Sequence, residues 1–150
     1  MSSELDRDGL VDIFVAEASE AMDILTKAFH PSDGTPPTPV QLQEQYVWAH
    51  KIRGASGLYG YEGLALMGAL LESTLEEAAS IEAALWPKAL EALRGMVTSF
   101  ESQLKVVAQG GTEDLSVSAR WKDEVAKLFP SVPAIGASEP AVLSPDYLVP

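Results

Sequence analysis

Apolar residues recur at steps of three and four through most of the chain before Pro130, and no two-residue alternation of the kind a half-buried strand requires competes with them. From about residue 8 to 29, Leu10, Phe14, Ala18, Met22, Leu25 and Phe29 form one stripe, while Asp12, Glu17, Glu20 and Lys27 lie mostly off it. This predicts an amphipathic first helix. The stretch HPSDGTPPTP, residues 30–39, has four prolines and one glycine and reads as a surface connection. A second helix is expected over roughly residues 40–58, with Pro39 just before or at its first turn, and LYGYEG breaks it. A third, roughly 61–79, has LALMGALL at its centre; a run that is apolar on most sides belongs deep in the molecule. Trp86-Pro87 starts a fourth helix, whose stripe of Leu90, Leu93, Val97, Phe100, Leu104 and Val107 runs up to Gly110-Gly111. A shorter fifth helix, about 117–129, follows the polar TEDLS turn and would bury Trp121, Val125 and Leu128. From Pro130 onward five prolines fall in 21 residues with almost no charge, the composition of a linker or disordered tail. The expected fold is therefore all-α: an antiparallel four-helix bundle with an additional fifth C-terminal helix over residues 1–129, then a proline-rich segment over 130–150.

Composition narrows the partners more than the fold. With 150 residues and 47% hydrophobic content, one domain with a real core is expected. Ten Lys and Arg against 22 Asp and Glu give a net charge of −12, which opposes binding to nucleic acid or to anionic membrane surfaces. There is no cysteine, and two histidines 20 residues apart do not make a zinc site, so no metal is expected. The amino terminus, MSSELDRDGL, lacks the basic-then-apolar order of a signal peptide, and no 18-residue apolar run is present. A soluble, cytoplasmic protein is the expectation.

One stretch departs from ordinary helix composition. AHKIRGASGLYG, residues 49–60, carries three glycines and one of the two histidines. At 100° per residue, with His50 taken as zero, Trp48, Ile52, Ala55 and Tyr59 cluster between about 140° and 200° and form the expected core face. His50 points the other way, flanked by Arg53 at about 300°, Gly54 at about 40° and Gly57 at about 340°. Each helical glycine costs roughly 1 kcal/mol relative to alanine, so bare backbone beside the histidine calls for a reason. Access supplies one: another protein surface can approach the imidazole. Histidine titrates near neutrality, so its neutral, nucleophilic form is abundant at pH 7 and can accept a phosphoryl group and hand it on. Phosphoryl transfer asks mainly for positioning and charge neutralisation, and Arg53 is a cation one turn away. Gly60 reads as the helix stop. His30, beside Pro31, reads as a capping residue of the first helix, and the tryptophans at 48, 86 and 121 read as core.

The order His50-Lys51-Ile52-Arg53-Gly54-Ala55-Ser56, with Gly60 ten residues after the histidine, resembles the histidine phosphotransfer (HPt) domain, whose pattern is His, any residue, Leu or Ile, Lys, Gly and two small residues. Arg53 stands at the usual lysine. The helix arrangement from about residue 8 to 129 looks most like the amino-terminal domain of chemotaxis-type histidine kinases. That resemblance implies that His50 is the phosphoacceptor, that Arg53 stabilises phosphoryl charge, and that a glutamate on the third helix, Glu72 by counting, orients the imidazole. The second histidine often found three residues before that glutamate is here Ala69. On the expected third helix Glu72 lies at the edge of the Leu64, Met67, Leu71, Leu75 stripe, with the small Ala65, Gly68 and Ala69 nearby leaving room for a ring.

The implied partners are a kinase catalytic domain and a response-regulator receiver domain, docking over Gly54 and Gly57. ATP and Mg²⁺ would be used through those partner domains; no Gly-rich phosphate loop with its lysine is present, so no cofactor is expected on this domain. An alternative is a helical docking module that binds receivers or other signalling proteins through the His50 face without phosphoryl chemistry. An independent enzyme using His50 as general base lacks a visible nucleophile or pocket.

Overall fold

The computed structural model describes residues 2–29 and 36–129; the expectations for His30 and for the 130–150 segment fall outside them. Five helices follow one another, α1 (Ser2–Ala28), α2 (Pro39–Leu58), α3 (Glu62–Ala78), α4 (Trp86–Ala108) and α5 (Leu115–Leu128), with a 3-10 turn at Ala83–Leu85 leading into α4. No strand occurs among the described residues. Each of the first four helices packs on the next, α4 closes back on α1, the diagonal pairs lie farther apart across the core, and α5 lies against α3 and α4. Neighbours run antiparallel: Phe14 meets Tyr59 at one end of the α1–α2 pair, and a cleft joins Ile24, Lys27 and Ala28 to Gln41, Glu44 and Gln45 at the other.

The helix ends are set by local chemistry. Thr38 and Gln41 form a capping box at the start of α2, each side chain accepting the other's backbone N–H at 3.2 and 2.9 Å, with Pro39 at the first helical position. At its far end Gly60 adopts φ 85°, and the Tyr61 and Gly60 amides donate back to the Ser56 and Gly57 carbonyls at 2.8 and 3.1 Å. That reversal needs a left-handed residue, which glycine adopts at little cost, so the helix stops where the sequence indicates.

α3 and α4 contribute much of the core. Leu64, Met67, Leu70, Leu71 and Leu75 of α3 and Leu90, Leu93, Val97, Phe100, Leu104 and Val107 of α4 are all buried, as the apolar run and the stripe require. From α1, Phe14, Ala18, Met22, Leu25 and Phe29 join them, whereas Leu10 is 50% exposed. The reason is length: Phe14 already packs on Tyr59 and Tyr61, past the end of α2, so the turn before it has no α2 beside it. In α5, Val125 is buried while Trp121 and Leu128 are half-buried, and Phe129 beyond the helix completes the seal. Trp86 is buried in the core, and Trp48 is half-buried, with the Lys51 ammonium 4.4 Å from its ring centre.

Candidate functional site

The α2 face that enters the core is not the one its apolar stripe indicates. Leu42, Gln45, Ala49, Ile52 and Ser56 are buried, while Trp48, Ala55 and Tyr59 are only half-buried against the core's flank. The helix is rotated by about 70° relative to the expectation from hydrophobicity. The cause is the unequal character of its two neighbours. Toward α1 the contact includes the large rings of Trp48 and Tyr59, whereas toward α3 the two helices come so close at Arg53 that the facing Gly68 leaves no room for a side chain. A methyl added at Gly68 of α3 would lie 2.8 Å from Cα, 2.9 Å from Cβ and 3.0 Å from N of Arg53. Small residues carry little hydrophobic signal, so a stripe analysis underweights this close contact.

This rotation decides where the site residues point. His50 sits on the flank of the α2–α3 seam, its side chain 42% exposed, rather than diametrically opposite the core. Arg53 turns toward α3 and is 21% exposed. Glu72, on α3, is buried, 4% of its side chain exposed, and was expected only at the edge of its helix's stripe. Its two oxygens are divided between the two α2 residues: Oε2 lies 3.1 Å from His50 Nδ1, and Oε1 accepts a hydrogen bond from the Arg53 guanidinium at 2.8 Å. One carboxylate thus ties together two side chains a helical turn apart. Burial of a charge is tolerated only with such compensation, and both contacts supply it.

Outside this cluster the surface is open. A methyl added at Gly54 or Gly57 would meet nothing within 4 Å, and both are exposed, so bare backbone does flank the histidine on its solvent side. Val47 and Leu58, 41% and 83% exposed, share that side of α2 with Gly54. The Tyr46 ring, one turn before His50, stacks on the imidazole with centroids 6.3 Å apart and planes 10° from parallel.

Three residues near the site have no counterpart in the sequence-based set. Tyr46 was accessible to the i−4 rule. In the sequence Gly68 is only one of several small residues near Glu72. Glu113, in the α4–α5 connection, accepts the Gly63 and Leu64 amides at 3.1 and 2.9 Å and so caps the start of α3, the helix that carries Glu72. At sequence separations of 50 and 49 nothing in the sequence pairs these groups. The phenol of Tyr61, the residue before α3, is held above the ordinary tyrosine range by its burial and, secondarily, by the Glu113 charge.

Among the described residues, no group of three His, Cys, Asp or Glu side chains is arranged to hold a metal ion, and no helix is long and apolar enough to cross a membrane. In comparisons with known proteins, residues 9–103, from α1 into the last turns of α4, match the family model described as Hpt domain. No curated protein and no solved structure matches the chain.

Proposed function

The chain belongs to the Hpt domain family, whose helical bundles serve histidine phosphotransfer in phosphorelays, and from that premise we propose that His50 is the residue that accepts and passes on the phosphoryl group. The observation that carries this assignment is the division of labour at one imidazole: Nδ1 faces the buried Glu72 carboxylate at 3.1 Å while the ring remains 42% exposed. A carboxylate accepts but does not donate, so Nδ1 carries the proton and Nε2 carries the lone pair. Attack of Nε2 on the γ-phosphorus of ATP forms the N–P bond as the bridging P–O bond breaks and ADP leaves. The imidazole gains positive character in that step, and Glu72, already in place, stabilises it. Return is the same path with a different acceptor: a receiver aspartate oxygen attacks phosphorus, the P–N bond breaks, and its electron pair goes back to Nε2.

Arg53 serves this chemistry in two ways. Its bond to Glu72 offsets the negative charge that would otherwise repel an incoming phosphoryl dianion in a protein of net charge −12. It also places a five-donor guanidinium one turn from the phosphorus, where it can meet equatorial oxygens. Gly54 and Gly57, with the exposed Val47 and Leu58, form the surface on which a kinase catalytic domain and then a receiver domain would settle. ATP and Mg²⁺ are brought by those partners. The five-helix layout supports a further reading, that this is the phosphotransfer domain of a chemotaxis-type histidine kinase acting in the cytoplasm.

Incubation with a competent kinase catalytic domain, ATP and Mg²⁺ should give an acid-labile, base-stable phosphoryl group that His50→Gln abolishes. Failure of the wild-type chain to label with several such kinases, while it still binds receivers, would make it a docking module instead.

A further inference from the structure

One turn before Glu72, which reaches across to both of its α2 partners, α3 comes so close to α2 that Gly68 leaves no room for a side chain. Gly68 and Glu72 are four residues apart and share a face of α3, as His50 and Arg53, three apart, share a face of α2. The atoms that a Gly68 methyl would strike are the Cα, Cβ and N of Arg53, at 2.8, 2.9 and 3.0 Å, and two of these are backbone that cannot rotate aside. Two carbons rest at about 3.5 Å or more, so a methyl there would drive the helices apart by roughly 0.7 Å. The His50 Nδ1 to Glu72 Oε2 distance of 3.1 Å has only a few tenths of an ångström to give before the hydrogen bond is lost.

We infer that Gly68 is a positioning residue for the phosphoacceptor, acting through Glu72: the missing side chain sets the α2–α3 spacing at which one carboxylate holds the His50 proton on Nδ1 and the Arg53 guanidinium together. The inference rests on the phosphotransfer reading for its consequence, but its primary readout needs no kinase. The helical-interior cost of glycine is thereby offset by a contact no other residue permits.

The test is the imidazole tautomer of His50, read from its nitrogen chemical shifts, in the wild type, Gly68→Ala and Gly9→Ala. Gly9 lies on α1 with open space around it, so its variant controls for the general effect of alanine in a helix. Gly68→Ala should keep its helical content but lose the Nδ1–H preference, and phosphorylation by the kinase should slow by about 10-fold or more, the scale on which small misplacements act. Gly9→Ala should match the wild type in both. Because Gly68→Ala could unfold, Glu72→Asp provides a second route: it withdraws the carboxylate by one methylene without forcing the helices apart, and should shift the tautomer in the same direction. A wild-type tautomer in either variant would overturn the inference. A wild-type chain that shows the Nδ1–H tautomer yet never labels would overturn the phosphotransfer reading alone.

Discussion

Arg53 shows how much a single residue's meaning depends on what lies opposite. In the sequence it is a cation beside a histidine. In the fold its guanidinium lies 2.8 Å from a carboxylate that is itself almost wholly buried. Removing it strips a buried acceptor of a charge-assisted partner, so Arg53→Met, which keeps much of the stem, should lower the free energy of unfolding by about 1–3 kcal/mol. Arg53→Lys should lose less, because an ammonium restores the charge but not the planar fork. Urea unfolding of the two variants checks the order; an Arg53→Met midpoint equal to wild type would mean that the Glu72 contact contributes nothing to stability. Gly54 and Gly57 were legible beforehand, because exposure next to His50 follows from helix geometry alone.

Among the elements, α3 depends most on distant chain. Its preceding residue, Tyr61, gives no side-chain cap, and the first-turn amides of Gly63 and Leu64 are taken by Glu113 from the far side of α4. Free amides at a helix start are costly when they are buried, and a carboxylate there also matches the helix dipole. Glu113→Ala should therefore cost about 1 kcal/mol, the usual scale of a lost N-cap. Hydrogen exchange localises the effect: Gly63 and Leu64 amides should lose protection before those of α4, and unchanged protection at both would show that another group caps them. The starts of α2 and α5, by contrast, are closed from within. Thr38-Pro39 with Gln41 forms the box on α2, and on α5 Asp114 accepts the Ser116 hydroxyl at 2.6 Å and the Ser116 amide at 2.9 Å, contacts that hold its carboxyl below the usual range.

At the scale of the molecule, α5 lies beyond the 9–103 region that matches the family and yet is tied to the bundle at three points. Trp121 donates its indole N–H to Ser99 Oγ at 2.8 Å, its ring covers Gly95, and Val125 is buried against the core. A chain ending at Thr112 removes all three together with the Glu113 cap. It should retain a cooperative unfolding transition, because the α1–α4 packing is untouched, but with a lower urea midpoint. Loss of the transition altogether would make α5 part of the folding unit rather than a buttress on it.

Periodicity, proline and glycine placement determined the five helices, their order and nearly all their ends, since those depend on local backbone chemistry and on which side of each helix is apolar. The HKIRGAS run singled out His50, and counting along the resemblance placed Glu72 on α3, where it meets the imidazole. What only the tertiary structure decided was orientation: which way α2 turns about its axis, that Arg53 faces a buried Glu72, and that Glu113 closes α3. Hydrophobic pattern reports how strongly a face prefers to leave water, whereas close approach of two helices requires side chains too small to give that signal. The site lies at such an approach, where Gly68 meets Arg53.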